Sequence, residues 1–117
     1  VLILDDRPAF RTAVCGALAA YGVQVVAACG QPEAAEAILV RVDVDVLVLT
    51  NGLTAGCRPL VDRVAHLPSP PRVLLVTDPD ASAWRLFDDG RIHALVGTAL
   101  GIEQVARAVH RSHAGVR

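Results

Sequence analysis

Short unbroken runs of branched apolar residues alternate along this chain with longer stretches in which apolar positions recur every three or four residues. The strongest runs are Val1 to Leu4, Val44 to Leu49 and Val73 to Val76, and weaker ones of the same kind are Val23 to Ala28 and Ile92 to Val96. Runs that do not alternate with polar residues suit strands covered by helices on both faces. Between them, Pro8 opens a stretch with Phe10, Val14, Ala17, Leu18 and Tyr21 at helical spacing, and Gly22 stands where a helix C-terminus wants glycine. Pro32 opens a second stretch with Ala35, Ile38 and Leu39 on one side. Pro59 opens a third, with Leu60, Val64 and Leu67, that stops at the Pro68, Pro70, Pro71 cluster. Ala81 to Asp88 predicts a short fourth helix, and Gly101 to about His110 a fifth, with Ile102, Val105, Ala106 and Val109 at i, i+3, i+4 and i+7. The order is βαβαβαβαβα, which with short connections argues a doubly wound α/β domain: a parallel sheet, right-handed crossovers and helices on both faces.

Composition narrows the function classes. With 117 residues and 53% hydrophobic content the chain suits one globular unit that buries about two-thirds of its unfolded surface without staples. Twelve acidic residues against eleven basic ones leave a net charge of -1, no electrostatic footprint for nucleic acid or an anionic membrane. All eleven basic residues are arginine, so chemistry that needs a lysine amine is excluded. Cys15, Cys29 and Cys57 form no CxxC pair and read as small residues of a reducing compartment. No apolar run approaches the roughly 20 residues of a membrane span and no secretory leader opens the chain, so a cytoplasmic domain cut from a longer protein is expected.

In an open parallel sheet the functional crevice lies outside the C-terminal ends of the strands. Asp5 and Asp6 end the first strand, Thr50 and Asn51 the third, Thr77 and Asp78 the fourth, and Gly97 and Thr98 follow the fifth. The carboxylates of Asp5 and Asp6 suit a hard divalent cation such as Mg²⁺; alternatively Asp6 caps the helix that opens at Pro8. His110 and His113 are spaced compatibly with a metal pair on a helix, yet suit better solvated cations at a helix C-terminus, where the dipole favours them. Trp84, the only tryptophan, reads either as a partner anchor or as a packing residue.

The order of elements together with "VLILDDRPAFR", "DVDVLVLTNGLTAG", "PRVLLVTDPD" and "GRIHALVGTALG" resembles the receiver domain of two-component response regulators, most closely the NarL/LuxR-type transcription factors. The resemblance spans nearly the whole chain. It implies a flavodoxin-like (βα)5 fold with sheet order 2-1-3-4-5, a receiver-like domain over residues 1–110, and at 111–117 the start of a linker to a C-terminal domain of helix-turn-helix type. Carried over by position, the Mg²⁺-holding acidic pair is Asp5 and Asp6, and the strand-four hydroxyl is Thr77. The aspartate that accepts a phosphoryl group is replaced by Thr50, and the lysine after strand five by Gly97. The aromatic switch position falls on Ala94, and the family's Met-Pro-Gly becomes Leu53, Thr54, Ala55.

A threonine hydroxyl with no base beside it is a poor acceptor, and without lysine no charge meets the transferring oxygens. The resemblance therefore implies a degenerate, phosphorylation-independent receiver that is not an enzyme and needs no cofactor beyond weakly held Mg²⁺. Its work would be dimerisation, through Ala13, Ala20, Val105 and Val109 flanked by Arg107 and Arg111, with DNA contacted only through the C-terminal domain. Two rival readings keep the fold. One puts a small-molecule ligand in the space around Thr50, Thr77 and Gly97, and the other has a Ser/Thr kinase modify Thr50 or Thr98.

Overall fold

The computed structural model describes residues 1–50, 57–77, 81–97 and 101–114. Each branched run yields a parallel strand: β1 Leu2–Leu4, β2 Ala27–Cys29, β3 Val46–Leu49, β4 Arg72–Val76 and β5 Ala94–Val96. The helices between and after them are α1 Pro8–Ala20, α2 Pro32–Leu39, α3 Cys57–Val64, α4 Ala81–Asp88 and α5 Gly101–Ala114. The strand order is β2-β1-β3-β4-β5, and every pairing is parallel. This is the flavodoxin-like order that the resemblance implied. Among the described residues, no helix is long and apolar enough to cross a membrane.

Two apolar layers flank the sheet because successive strand residues face opposite ways. Leu2, Leu4, Leu47, Leu49, Val73 and Leu75 pack with Leu39, Leu60, Val61 and Val64 of α2 and α3. On the other face, Val1, Ile3, Val46, Val48, Leu74 and Val76 meet Val14 and Leu18 of α1 and Val105, Ala106 and Val109 of α5.

Local chemistry sets the ends. Pro8 at the first turn of α1 supplies the helical φ and lacks a donor that would go unused. Gly22 follows that helix with φ +73° and donates to the Ala19 carbonyl at 3.0 Å, a left-handed stop that a β-carbon would strain.

The differences from the sequence reading are local. Val23 to Val26 does not join the sheet as strand, although the Val26 N–H donates to the Val1 carbonyl at 2.8 Å. α3 begins two residues before Pro59, which therefore sits within its first turn. α5 runs a turn beyond His110, to Ala114, with Arg111 and His113 in its last turn where the helix dipole favours cations.

Candidate functional site

The parallel register of β1 on β3 sets Leu4 level with Leu49, so Asp5 and Thr50 leave the sheet side by side. Their main chains stay tied to it: the Asp5 N–H donates to the Cys29 carbonyl at 2.9 Å, and the Thr50 N–H to the Leu4 carbonyl at 3.1 Å. Both are buried, Asp5 to 1% exposure and Thr50 to 3%. This is the crevice of an open parallel sheet, where the strand order reverses direction.

A buried carboxylate needs partners. Asp5 takes most of its own from Arg7: Oδ1 accepts the Arg7 backbone N–H at 2.7 Å and Nε–H at 3.1 Å, while Oδ2 accepts Nη2–H at 2.8 Å. The two guanidinium bonds form a bidentate fork. Oδ2 also accepts the hydroxyl of Thr50, whose oxygen lies 3.2 Å from the Leu4 carbonyl as well. Burial pushes the Asp5 carboxyl upward, but the hydrogen bonds from Arg7 and Thr50 and the charge of Arg7 outweigh it and hold it below the usual carboxylate range. Arg11 adds a second guanidinium, its Nη1 donating to the Asp5 carbonyl at 2.6 Å. The Arg7 guanidinium also stands 4.2 Å from the centre of the Phe10 ring, a cation–π contact that fixes its stem.

Sequence reasoning placed Asp5, Asp6, Thr50, Thr77 and Gly97 in one pocket and passed over Arg7, which was legible only as a residue between the acidic pair and Pro8. The structure brings Asp5 and Thr50 into contact. Asp6 is exposed, and Arg7 rather than Asp6 is the N-cap of α1, with no side-chain cap bond. The Thr77 N–H donates to the Val96 carbonyl at 2.9 Å. At Gly97 a β-carbon would meet nothing within 4 Å among the described residues. Asn51, Leu53, Thr54, Ala55, Asp78 and Thr98 lie outside the described residues.

The arrangement does not fit a Mg²⁺ ion. The four donors on Asp5 use the roughly four lone-pair sites of a carboxylate, and its side chain has no exposed surface through which a water-carrying cation could approach. Thr50 offers no third charge. Among the described residues, no group of three or more His, Cys, Asp or Glu is placed to hold a metal. His110 and His113 part company: His110 stacks on Tyr21 at 5.2 Å, and His113 Nε2 lies 3.6 Å from Asp45.

Two further expectations change. Thr50, buried with its hydroxyl bonded, is not offered to a kinase. Val105 and Val109 are 1% and 0% exposed, packed under α1 within the core, so they are not surface for a second copy; Ala13 and Ala20 are exposed. Their burial follows from the i, i+4 stripe of α5 lying on the sheet.

No family model matches the chain, and no curated protein matches it. Solved structures do. The signal receiver domain of the response regulator NarL from Mycobacterium tuberculosis is similar at 24% identity and TM-score 0.80, over 97% of this chain and 94% of that one. A DNA-binding response regulator of the LuxR family from Staphylococcus aureus is similar at 15% identity and TM-score 0.80, over 96% and 97%. The RcsB response regulator of Salmonella typhimurium is similar at 19% identity and TM-score 0.78; the match takes 98% of this chain but only 60% of RcsB. At these identities the likeness is one of fold: the chain has the fold of response regulator receiver domains.

Proposed function

We propose that this chain is the receiver-like signalling module of an atypical NarL/LuxR-type response regulator, working in the cytoplasm as a homodimer without accepting a phosphoryl group. The observation that carries this reading is the Arg7–Asp5–Thr50 cluster. Where the resembled family keeps a carboxylate nucleophile beside a cation, a threonine hydroxyl is buried and hydrogen-bonded to a carboxylate already neutralised by arginine. Phosphoryl transfer needs a nucleophile free to attack in line and positive charge at the transferring oxygens, and neither is supplied at Thr50 or Gly97. The module acts by binding and positioning, not as an enzyme. It covers 60% of RcsB, and the rest of such a regulator, a DNA-binding domain joined after residues 111–117, would carry contact with DNA.

The test is incubation with acetyl phosphate and Mg²⁺ followed by intact-mass measurement. No added mass is expected. An acid-labile adduct of one phosphoryl group on Asp5 or Asp6 would overturn the reading. That no described residue would meet a β-carbon at Gly97 within 4 Å supports a second reading, a small-molecule ligand entering beside Thr77, and a thermal-shift screen against metabolites tests it.

A further inference from the structure

Arg7 makes both charge-assisted bonds to the Asp5 carboxylate from two residues away. Its backbone N–H adds a third bond to the same group, so the guanidinium is aimed by the turn that starts α1 and not by a loose side chain alone. Phe10, one turn into that helix, closes over it. The negative charge of Asp6 adds to that of Asp5 in favouring the Arg7 cation. A divalent ion held by the acidic pair would have to displace this fork, which helix and turn already hold in place.

We propose that Arg7 is a resident counter-cation: it takes the electrostatic place that a divalent ion holds in the resembled family, leaves the pocket neutral around Asp5, and makes the domain indifferent to Mg²⁺. The acidic pair is then the remnant of a cation site that the chain's own side chain has closed. Arginine suits this place because its planar fork matches both carboxylate oxygens, whereas a lysine would meet them as a point charge. The inference rests on the pocket assignment of the preceding reading but not on the fate of phosphoryl transfer, and the two fail separately. An adduct from acetyl phosphate would sink that reading, while cation titration without any phosphodonor decides this one.

The experiment compares the parent chain with Arg7→Ala and Arg7→Gln in thermal melts over a Mg²⁺ series. Backbone amide spectra under trace Mn²⁺ report where a cation sits. The parent is expected to show no saturable shift and no selective broadening. Each variant is expected to melt lower without Mg²⁺ and to regain a few degrees at about ten times its dissociation constant, with Mn²⁺ broadening centred on residues 5 to 7 and 50. Arg7→Gln keeps the stem over Phe10 and serves if Arg7→Ala does not fold. Saturable Mg²⁺ stabilisation of the parent would overturn the proposal, and so would folded variants that gain no cation response.

Discussion

Asp5 accepts four donors on a side chain with no exposed surface, so deletion of any one leaves a buried acceptor short. Thr50→Val keeps the shape and removes only the hydroxyl; unfolding in urea is expected to show a loss of about 1–3 kcal/mol, the cost of an unmet buried acceptor. Gly30 carries a different constraint. A β-carbon there would stand 2.8 Å from Arg11 Nη1, the far end of a flexible side chain that now donates to the Asp5 carbonyl. Gly30→Ala should therefore fold, with Arg11 displaced and about 1 kcal/mol lost with its hydrogen bond. His93 sets a pH dependence. Its Nδ1 accepts the Val73 N–H at 2.9 Å, which requires that nitrogen to be unprotonated, and burial together with the Arg72 charge pushes its pKa down. As pH falls through the ordinary histidine value of about 6.5, the unfolded chain takes up the proton first. The contribution of His93 is therefore whole above that value and lost below it. Stability measured between pH 7 and pH 5 should fall less steeply in His93→Asn, whose amide oxygen can accept the same N–H; an unchanged slope would assign the acid sensitivity elsewhere.

Among elements, α5 shows both what the chain's pattern reveals and what it conceals. Ile102, Val105, Ala106 and Val109 mark an apolar stripe, yet a stripe does not say whether a sheet or a second molecule covers it. Here the sheet and α1 do, with Val109 fully buried. Val109→Ala is accordingly expected to cost about 2 kcal/mol in denaturant unfolding, the loss of two methyl groups plus a cavity, and Val109→Arg to prevent folding. Continuous branched runs identified β1, β3 and β4 because those strands are covered on both faces and need apolar residues throughout. Edge strand β2, Ala27–Cys29, kept only Ala27 and Ala28 of the run Val23 to Ala28 and added Cys29, since apolar residues can also pack from irregular chain. The site was legible as positions and not as contacts. That Asp5 and Thr50 end neighbouring strands follows from topology, but the grip of Arg7 on Asp5 depends on the turn between Asp5 and Pro8, whose geometry no apolar period encodes.

For the whole molecule, the face that α1 and α5 turn outward carries Ala13, Ala20, Arg107 and Arg111, all exposed. It is braced by Tyr21, which donates to Glu103 at 2.7 Å and accepts from Arg107 at 3.2 Å. On the proposed reading, sedimentation of the parent without phosphodonor is expected to show a dimer, because a transcription regulator that reads two symmetric half-sites works as two copies. Ala13→Arg with Ala20→Arg should return it to monomer with little change in melting, unlike any substitution at Val109. A dimer untouched by that pair would place the interface on another face, such as the one where Trp84 and Phe87 stand 51% and 41% exposed. A carboxylate at the proposed acceptor position asks whether any switch remains. Thr50→Asp sets a second carboxylate against the buried Asp5 with Arg7 as the shared cation, and should cost on the order of 2 kcal/mol. Mg²⁺ would help that variant little while Arg7 holds the fork. In Arg7→Gln with Thr50→Asp three carboxylates are left to the ion, and Mg²⁺ at about ten times its dissociation constant should return about 1.4 kcal/mol. Acetyl phosphate could then modify the carboxylate introduced by Thr50→Asp in that double variant, but its sedimentation should not change, because Gly97 brings no charge to the phosphoryl oxygens and Ala94 has no ring to reorient. A phosphodonor-dependent change in self-association there would mean that the signal leaves the pocket by a route other than those two positions.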